Sequence, residues 1–432
     1  MALKIKEEIK NKIVFEYEPF KGGLPNAPTN LPVGFPTYSY AALKPIHVPA
    51  KKKIEMPEAN LPRAVNYYAD YGGCGFWRMI WPEYMLNAYS RACICGLTQM
   101  VMDVNFYGGI KAIRMQRQAT TIQKEFIKEL IKLKNKFNYR LIYEVDDIVF
   151  KDDIPDYNSC KEAFVSQDIE QNILEIMGMM DEITVTCKYM KDYYIAKTGN
   201  KKVTVVPNYP PKFWLDKFYN KEKIQKDFEL NKKRPRVLYS GSGTHIDMMN
   251  KNGFNDDFAH VTQEIIKARK KFKFVWKGCY PLVVKPYIDN GDMEFIEWSS
   301  LIDYPKGLYD TNCNVVFAPL QDNVFNKSKS NIKMVEASGI GLPGTYQDLC
   351  TYEDAEFKFK NGVDLISQLE YLTSDFDRYM KISEKSNTFI QNLWLEDHLD
   401  EYDAIYFTEW GSEERKKKSP ILIQNNPDQN IH

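Results

Sequence analysis

Lys333 and Glu336 stand three residues apart in Lys329-Ser-Asn-Ile-Lys-Met-Val-Glu336. That spacing puts both side chains on one face of a helix. Ahead of them the stretch from Asn326 to Asn331 is polar and basic, and it holds Ser328, Lys329 and Ser330. Before it, Val315-Val-Phe-Ala-Pro-Leu320 reads as a short buried strand. Gly339, Gly341 and Pro343 supply the signal that ends the helix. Strand, polar loop and helix N-terminus together make the place where α/β proteins hold phosphate, because backbone N–H groups and the helix dipole face the ligand there. The competing account is a surface Lys–Glu pair contributing about 0.2–0.5 kcal/mol.

A second candidate is Gly241-Ser-Gly-Thr-His245, which follows the strand-like Arg236-Val-Leu-Tyr239. Gly241 and Gly243 let the backbone approach a phosphate, and Ser242 and Thr244 add donors. His245 is placed to orient the phosphate or to face what is attached to it; the alternative is an ordinary helix cap. In the N-terminal half, Gly72, Gly73 and Gly75 form a glycine turn followed by Arg78, and Arg114-Met-Gln-Arg117 follows further on. Asp146 and Asp147 end the strand-like Arg140-Leu-Ile-Tyr-Glu-Val145, with capping of the next segment as the alternative use. The eight cysteines are scattered, and none of the five histidines pairs with another. A zinc centre is therefore not expected.

These residues need elements to place them. Strand-like segments at 64–69, 101–106, 140–145, 182–186 and 202–206 alternate with helix-like ones at 76–92, 120–137, 170–180 and 188–198. In the long segment 120–137, Ile122, Phe126, Leu130 and Leu133 share a face. After Pro207-Asn-Tyr-Pro-Pro211 and a charged stretch to Arg234, the alternation restarts. Strands are expected at 236–239, 272–276, 293–296 and 315–318, and helices near 257–271, 363–393 and 394–407. Alternation at this period predicts two parallel, doubly wound sheets. The expected division is a proline-rich arm (1–62), an N-terminal Rossmann-like domain (63–206), a linker (207–234), a C-terminal Rossmann-like domain (235–393), a returning helix (394–410) and a disordered tail (411–432).

A chain of 432 residues suits two or three domains. Its 58 basic and 58 acidic residues cancel, so no global field draws it to nucleic acid or membrane. Local basic runs occur at 51–53, 232–234, 269–271 and 415–418. The N-terminus lacks the apolar core of a signal peptide, and no stretch is apolar for long enough to span a bilayer. The expectation is a cytoplasmic protein with reduced thiols.

Taken in order, Tyr71-Gly-Gly-Cys-Gly75, Val206-Pro-Asn208, Leu238-Tyr-Ser-Gly-Ser-Gly-Thr-His245, Trp276-Lys-Gly278, Ala318-Pro-Leu320 and Lys329–Glu336 resemble the retaining GT-B glycosyltransferases of family 4, also called group 1. The resemblance covers roughly residues 63–410. It implies two Rossmann-like domains facing across a cleft, with a C-terminal helix crossing back to the first. It also implies a nucleotide-diphosphate sugar, most simply a UDP-sugar, as co-substrate, with no obligatory metal. Glu336 matches the second of two family glutamates eight positions apart, which implies hydrogen bonds to the donor ribose. A carboxylate suits two vicinal hydroxyls. The first glutamate position is Ser328 here, a departure at a place the family sets near the sugar ring.

Lys333 and His245 would carry catalysis, Lys333 by neutralising the departing diphosphate. Lys277 resembles a second phosphate cation. Gly72, Gly73, Gly75, Arg78, Arg117, Asp146 and Asp147 would line the acceptor side. Tyr143-Glu-Val-Asp-Asp147 and the overall composition look like glycosyltransferases of large tailed phages, in which the acceptor is 5-hydroxymethylcytosine in double-stranded DNA. The other acceptor class is a bacterial surface saccharide. From a different class, the chain is a non-catalytic nucleotide- or sugar-binding protein. Glu144-Val-Asp146 also looks like the metal-holding Asp-x-Asp motif of GT-A enzymes, against which the second α/β half argues.

Overall fold

The computed structural model describes residues 61–89, 91–164, 167–247 and 255–407. The expectations for the arm before residue 61 and the tail after residue 407 lie outside the described residues.

Two six-stranded sheets carry the fold, and every strand pairing is parallel. The first contains β1 (Arg63–Tyr67), β2 (Cys93–Leu97), β3 (Ile110–Gln116), β4 (Arg140–Glu144), β5 (Glu182–Val185) and β6 (Val203–Val205), in the order β2-β1-β3-β4-β5-β6. The second contains β7 (Arg236–Ser240), β8 (Lys273–Lys277), β9 (Glu294–Ile296), β10 (Val315–Ala318), β11 (Gly344–Gln347) and β12 (Lys358–Phe359), in the order β12-β11-β10-β7-β8-β9. Each order reverses once, between β1 and β3 and between β7 and β10. Ligands of open α/β sheets bind at such switch points, beyond the strand C-termini. Leu141, Ile142 and Tyr143 of β4 are all 0% exposed, as a parallel sheet covered on both faces requires.

The helix Thr121–Phe137 shows how local sequence fixes an element. Thr120 and Gln123 form a reciprocal capping box, and Asn138 ends the helix in the left-handed region. Phe126, Ile127 and Leu130 are buried, whereas Ile122 is 70% exposed, so the buried stripe is rotated from the one expected.

Pro82 has a more specific effect. It lacks the N–H that would bond the carbonyl of Arg78. The chain widens into a π turn over Phe76–Ile80 before the α-helix Trp81–Ala88. The Arg78 carbonyl accepts instead from Arg114 Nη1 at 2.9 Å.

Residues 101–106, expected as a strand, are irregular and then a 3-10 turn, Val104–Tyr107; β2 and β3 lie on either side. β2 contains Gly96, whose missing Cβ makes room for the Tyr68 hydroxyl. β3 carries Arg114, which is wholly buried against Glu144. Neither pattern reads as an apolar run. β11, β12 and the helix Tyr304–Tyr309 also went unread.

The charged stretch expected as linker contains the helix Lys221–Asn231, whose Ile224 and Phe228 belong to the second core. The crossover itself is Val206–Pro211. Arg78 Nη1 donates to Val206 O at 2.6 Å and to Asn208 Oδ1 at 2.9 Å. The chain then returns: the helix Leu399–Phe407 lies on the first domain, with Tyr406 donating to Asn66 at 2.7 Å and Arg140 to the Ile405 carbonyl at 2.6 Å. Trp77 and Trp214 meet edge to face at 5.4 Å where the halves share one core.

Glu144 is the acid on which both buried arginines rest. It is 0% exposed and accepts from Arg78 Nε at 2.6 Å, from Arg114 and from Thr184. Removing one partner of a buried pair strands the other's charge, at a cost of about 3–5 kcal/mol. Glu144→Gln is expected to lower the urea midpoint of the first domain by a corresponding amount, read by fluorescence and circular dichroism together; an unchanged midpoint contradicts this role.

Candidate functional site

At the β7/β10 switch point two loops converge. Gly241 follows β7 with its N–H on the Lys277 carbonyl at 3.1 Å, so that amide is already used against β8. A Cβ on Gly241 would sit 2.4 Å from the Tyr239 hydroxyl, so only glycine fits without moving that ring. Ser242 and Thr244 pair their hydroxyls at 2.8 Å on the outside of the turn. The 3-10 turn Gly243–His245 then carries His245 inward, to 6% exposure.

His245 Nδ1 lies 2.7 Å from Asp257 Oδ2, and Nε2 lies 3.4 Å from Lys333 Nζ. Asp257 also accepts from Tyr157 (2.7 Å), the Gln321 N–H (2.9 Å) and Asn326 (2.5 Å). These hydrogen bonds hold its carboxyl below its usual range despite the opposing pull of burial. An ionised Asp257 places the imidazole proton on Nδ1, which leaves Nε2 as an acceptor toward Lys333. Burial, with Lys333 next, pushes His245 down to about 4, so the ring is neutral at pH 7.

From β10, Asn323 caps a short helical turn by accepting from the Asn326 N–H at 2.8 Å. Lys329 lies over the Phe325 ring at 4.4 Å and reaches Asp147 of the first domain at 3.2 Å. Ser330 accepts from Asn208 of the crossover at 2.9 Å. The helix Ile332–Gly339 begins at Asn331 without a side-chain cap, so its N-terminus opens onto this loop. Lys333 and Glu336 face one cavity with Ser240, Tyr304, Leu308 and Val316. Tyr304 donates to Ser240 at 2.9 Å. Burial holds Lys333 below the ordinary lysine range and pushes Glu336 up, each moderating the other.

The first domain offers its own switch point, between β1 and β3. Asp70 Oδ1 accepts from the Gly72 N–H (2.7 Å) and the Gly75 N–H (3.1 Å). A Cβ on Gly75 would lie 2.0 Å from the Asp70 carbonyl, while Gly73 faces open space. Arg117 pairs with Asp70 and stands 3.7 Å from Asp146. Asp147 faces Lys329 across the cleft, and its carboxyl is raised chiefly by burial.

Thus Lys333, His245, Glu336, Lys329 and Ser330 come together, with Asp147 against Lys329 and Arg117 and Asp146 beside it. Three expected residues do not join them. Arg78 is 0% exposed and is spent on Glu144 and the crossover, so it does not line the acceptor side. Lys277 is 1% exposed, its ammonium turned to the Glu297 carbonyl (3.1 Å) and Ser299 (2.7 Å) rather than outward. Ser328 is 0% exposed and donates to the Phe325 carbonyl at 2.6 Å.

Asp257, Tyr157, Asn326, Tyr304 and Asp70 were not read as members. Asp70 had a signal, an Asp immediately before a glycine turn; the others have none in their local sequence. Glu144 is committed to the arginines, so it does not pair with Asp146 as a metal motif. Among the described residues no three His, Cys, Asp or Glu side chains gather as a metal site. No helix among them is long and apolar enough to cross a membrane. Of the described basic runs, 269–271 is paired with Asp292 and Glu370, and Arg234 bonds backbone carbonyls.

No family model and no curated protein matches the sequence. Solved structures do match the fold. Anabaena Alr3699/HepE in complex with UDP and glucose superposes with a TM-score of 0.53 at 10% identity, over 81% of this chain and 99% of that one. An alpha-glucosyltransferase in complex with UDP and a 13-mer DNA containing a central A:G mismatch gives 0.51 at 11% identity, over 80% and 99%. A second alpha-glucosyltransferase complex, with UDP and a 13-mer DNA containing an HMU base, gives 0.50 at 12% identity over the same shares. The chain has the two-domain GT-B fold that these structures share.

Gly241→Ala is expected to destabilise the second domain by about 1–3 kcal/mol, the usual range for overpacking. It should also displace Tyr239, over whose ring Lys333 lies at 5.7 Å. Thermal unfolding checks the first effect; a wild-type melting curve contradicts it.

Proposed function

We propose that the protein is a retaining glycosyltransferase that moves a sugar from a nucleotide diphosphate, a UDP-sugar, to an acceptor hydroxyl, and that the acceptor is 5-hydroxymethylcytosine in DNA. The observation that carries the transferase reading is the convergence of Lys333, His245 and Glu336 at the β7/β10 switch point, beside an uncapped helix N-terminus. Glu336 hydrogen-bonds the ribose hydroxyls. Lys333, Lys329 and the first amides of Ile332–Gly339 take the diphosphate. Ser242 and Thr244 add donors from the facing turn.

The reaction needs no side-chain nucleophile. The bond from the anomeric carbon to the phosphate oxygen breaks, with oxocarbenium character on the sugar. The acceptor oxygen bonds that carbon on the same face, and its proton passes to the leaving phosphate. The negative charge that develops on the diphosphate is what Lys333 is placed to stabilise. The acceptor stands on the opposite wall, near Arg117, Asp146 and Asp147. The DNA reading is supported by the glucosyltransferases crystallised with UDP and DNA, and by the phage-like Tyr143–Asp147 motif. Phosphates would position the duplex and a flipped base would enter the cleft.

The test is incubation with UDP-sugars and either hydroxymethylated or plain DNA, read by nucleoside mass spectrometry. A hexose or pentose mass added to hydroxymethylcytosine alone is expected; no added mass with any donor overturns the DNA acceptor. Donor hydrolysis without acceptor separates an enzyme from a binding protein. Glu336→Ala is expected to raise the donor KM about tenfold with a smaller change in kcat. Lys333→Ala is expected to lower kcat by about 10²–10³, the scale of losing one group that stabilises developing charge. Equal, small effects would reduce this stretch to scaffold.

A further inference from the structure

The Asp257 carboxylate is more heavily used than an ordinary helix-flanking acid. Its side chain is 1% exposed and it takes four donors: His245, the Gln321 N–H, Asn326 and Tyr157. The first three belong to the second domain. Tyr157 belongs to the first, in the segment between the turns Lys151–Asp153 and Ser159–Phe164. Its hydroxyl also receives Asn326 Nδ2 at 3.1 Å. The Tyr157 ring is 7% exposed, so it is held in this contact by packing.

We propose that Tyr157 and Asp257 are positioning residues that fix the His245 tautomer facing Lys333, so that the donor cluster is complete only while the two domains are together. This rests on the reading of that cluster as the donor site.

The physical chain has three links. An oxygen that already accepts three hydrogen bonds is a weaker base, so Asp257 orients the imidazole by its Nδ1–H without drawing a second proton onto it. The neutral ring then offers the Nε2 lone pair to the Lys333 ammonium at 3.4 Å. That bond aims Lys333 into the turn Gly241–His245. Withdrawing Tyr157, as domain opening must, leaves the carboxylate with less compensation. The imidazolium gains stability, and a cation replaces the acceptor in front of Lys333. Among the described residues the charged groups facing the ring are Asp257 on the Nδ1 side and Lys333 and Lys329 on the other. Asp256, the neighbour of Asp257, is turned to the N–H groups of Phe258 (2.9 Å) and Asp247 (3.1 Å).

The experiment is a pH titration of the nitrogen-15 histidine signals in the full-length protein without nucleotide, His245 being assigned by its loss in His245→Asn. Wild type is expected to show a neutral ring protonated at Nδ1 throughout the neutral range. In Tyr157→Phe the His245 midpoint should rise by about one unit. In Asp257→Asn it should fall, and the tautomer should change to Nε2–H. Tyr193→Phe is the control: its hydroxyl donates to Asp153 at 2.6 Å in the same domain, outside the cluster, and it should leave His245 where it is. An unchanged His245 in Tyr157→Phe, or equal shifts in Tyr157→Phe and Tyr193→Phe, overturns the proposal. UDP is added afterwards, with calorimetry in parallel. Failure of UDP to bind wild type overturns the donor reading, while the nucleotide-free titration still decides the part played by Tyr157.

Discussion

The guanidinium of Arg78 is the interaction on which the two halves of this molecule depend. Pro82 widens the helix and leaves the Arg78 carbonyl without its helical partner, and Arg114 takes that carbonyl. Both arginines then converge on Glu144 at the end of β4. Arg78 continues outward to the Val206 carbonyl and to Asn208, and Asn208 donates to Ser330 in the loop ahead of the helix Ile332–Gly339. A buried cation is costly unless it is paired, and Glu144 supplies the opposite charge for both arginines. The start of the crossover is therefore anchored to the first domain through the Arg78–Glu144 ion pair. The returning helix closes the arrangement, with Tyr402 and Tyr406 about the Arg114 guanidinium at 5.8 and 5.7 Å.

That scaffold places two switch points face to face, and an ion pair joins them. The second domain brings Lys329 and Lys333, with Asp257 and Glu336 beside them; the first brings Asp70, Asp146 and Asp147 around Arg117. The Lys329–Asp147 pair spans the cleft and attracts the domains to each other. An anion arriving at Lys329 would compete with Asp147 for it.

The fold was legible where signals are local. Strand, polar loop, helix and glycine stop appear in sequence at 315–341 and in space at the same residues, because each depends on neighbours a few positions away. The first sheet was harder. β2 and β3 hide behind Gly96 and Arg114, residues whose reason lies in Tyr68 and Glu144 rather than in any period. The cluster was half legible for the same reason. Lys333 and Glu336 sit on a helix behind a recognisable polar loop and His245 in a glycine turn, whereas Tyr157 and Asp257 are 100 residues apart and meet only because the domains do.

Arg78, Lys277 and Ser328 show what a motif leaves open. Each occupies a place where the sequence pattern sets a ligand contact, and each makes its hydrogen bonds inward. The direction is set by the partner available: Glu144 and the crossover for Arg78, Ser299 and the Glu297 carbonyl for Lys277, the Phe325 carbonyl for Ser328. Ser328 is the most instructive, since it stands where the resembling family has a glutamate. Here that position points at a carbonyl oxygen within the protein. A carboxylate would set two acceptors against each other without water, a buried mismatch costing about 1–3 kcal/mol or more. A hydroxyl, which can donate, fits. The departure from the family is thus consistent with the way this loop is folded. In this conformation the Ser328 hydroxyl is turned to that carbonyl and not toward the cleft.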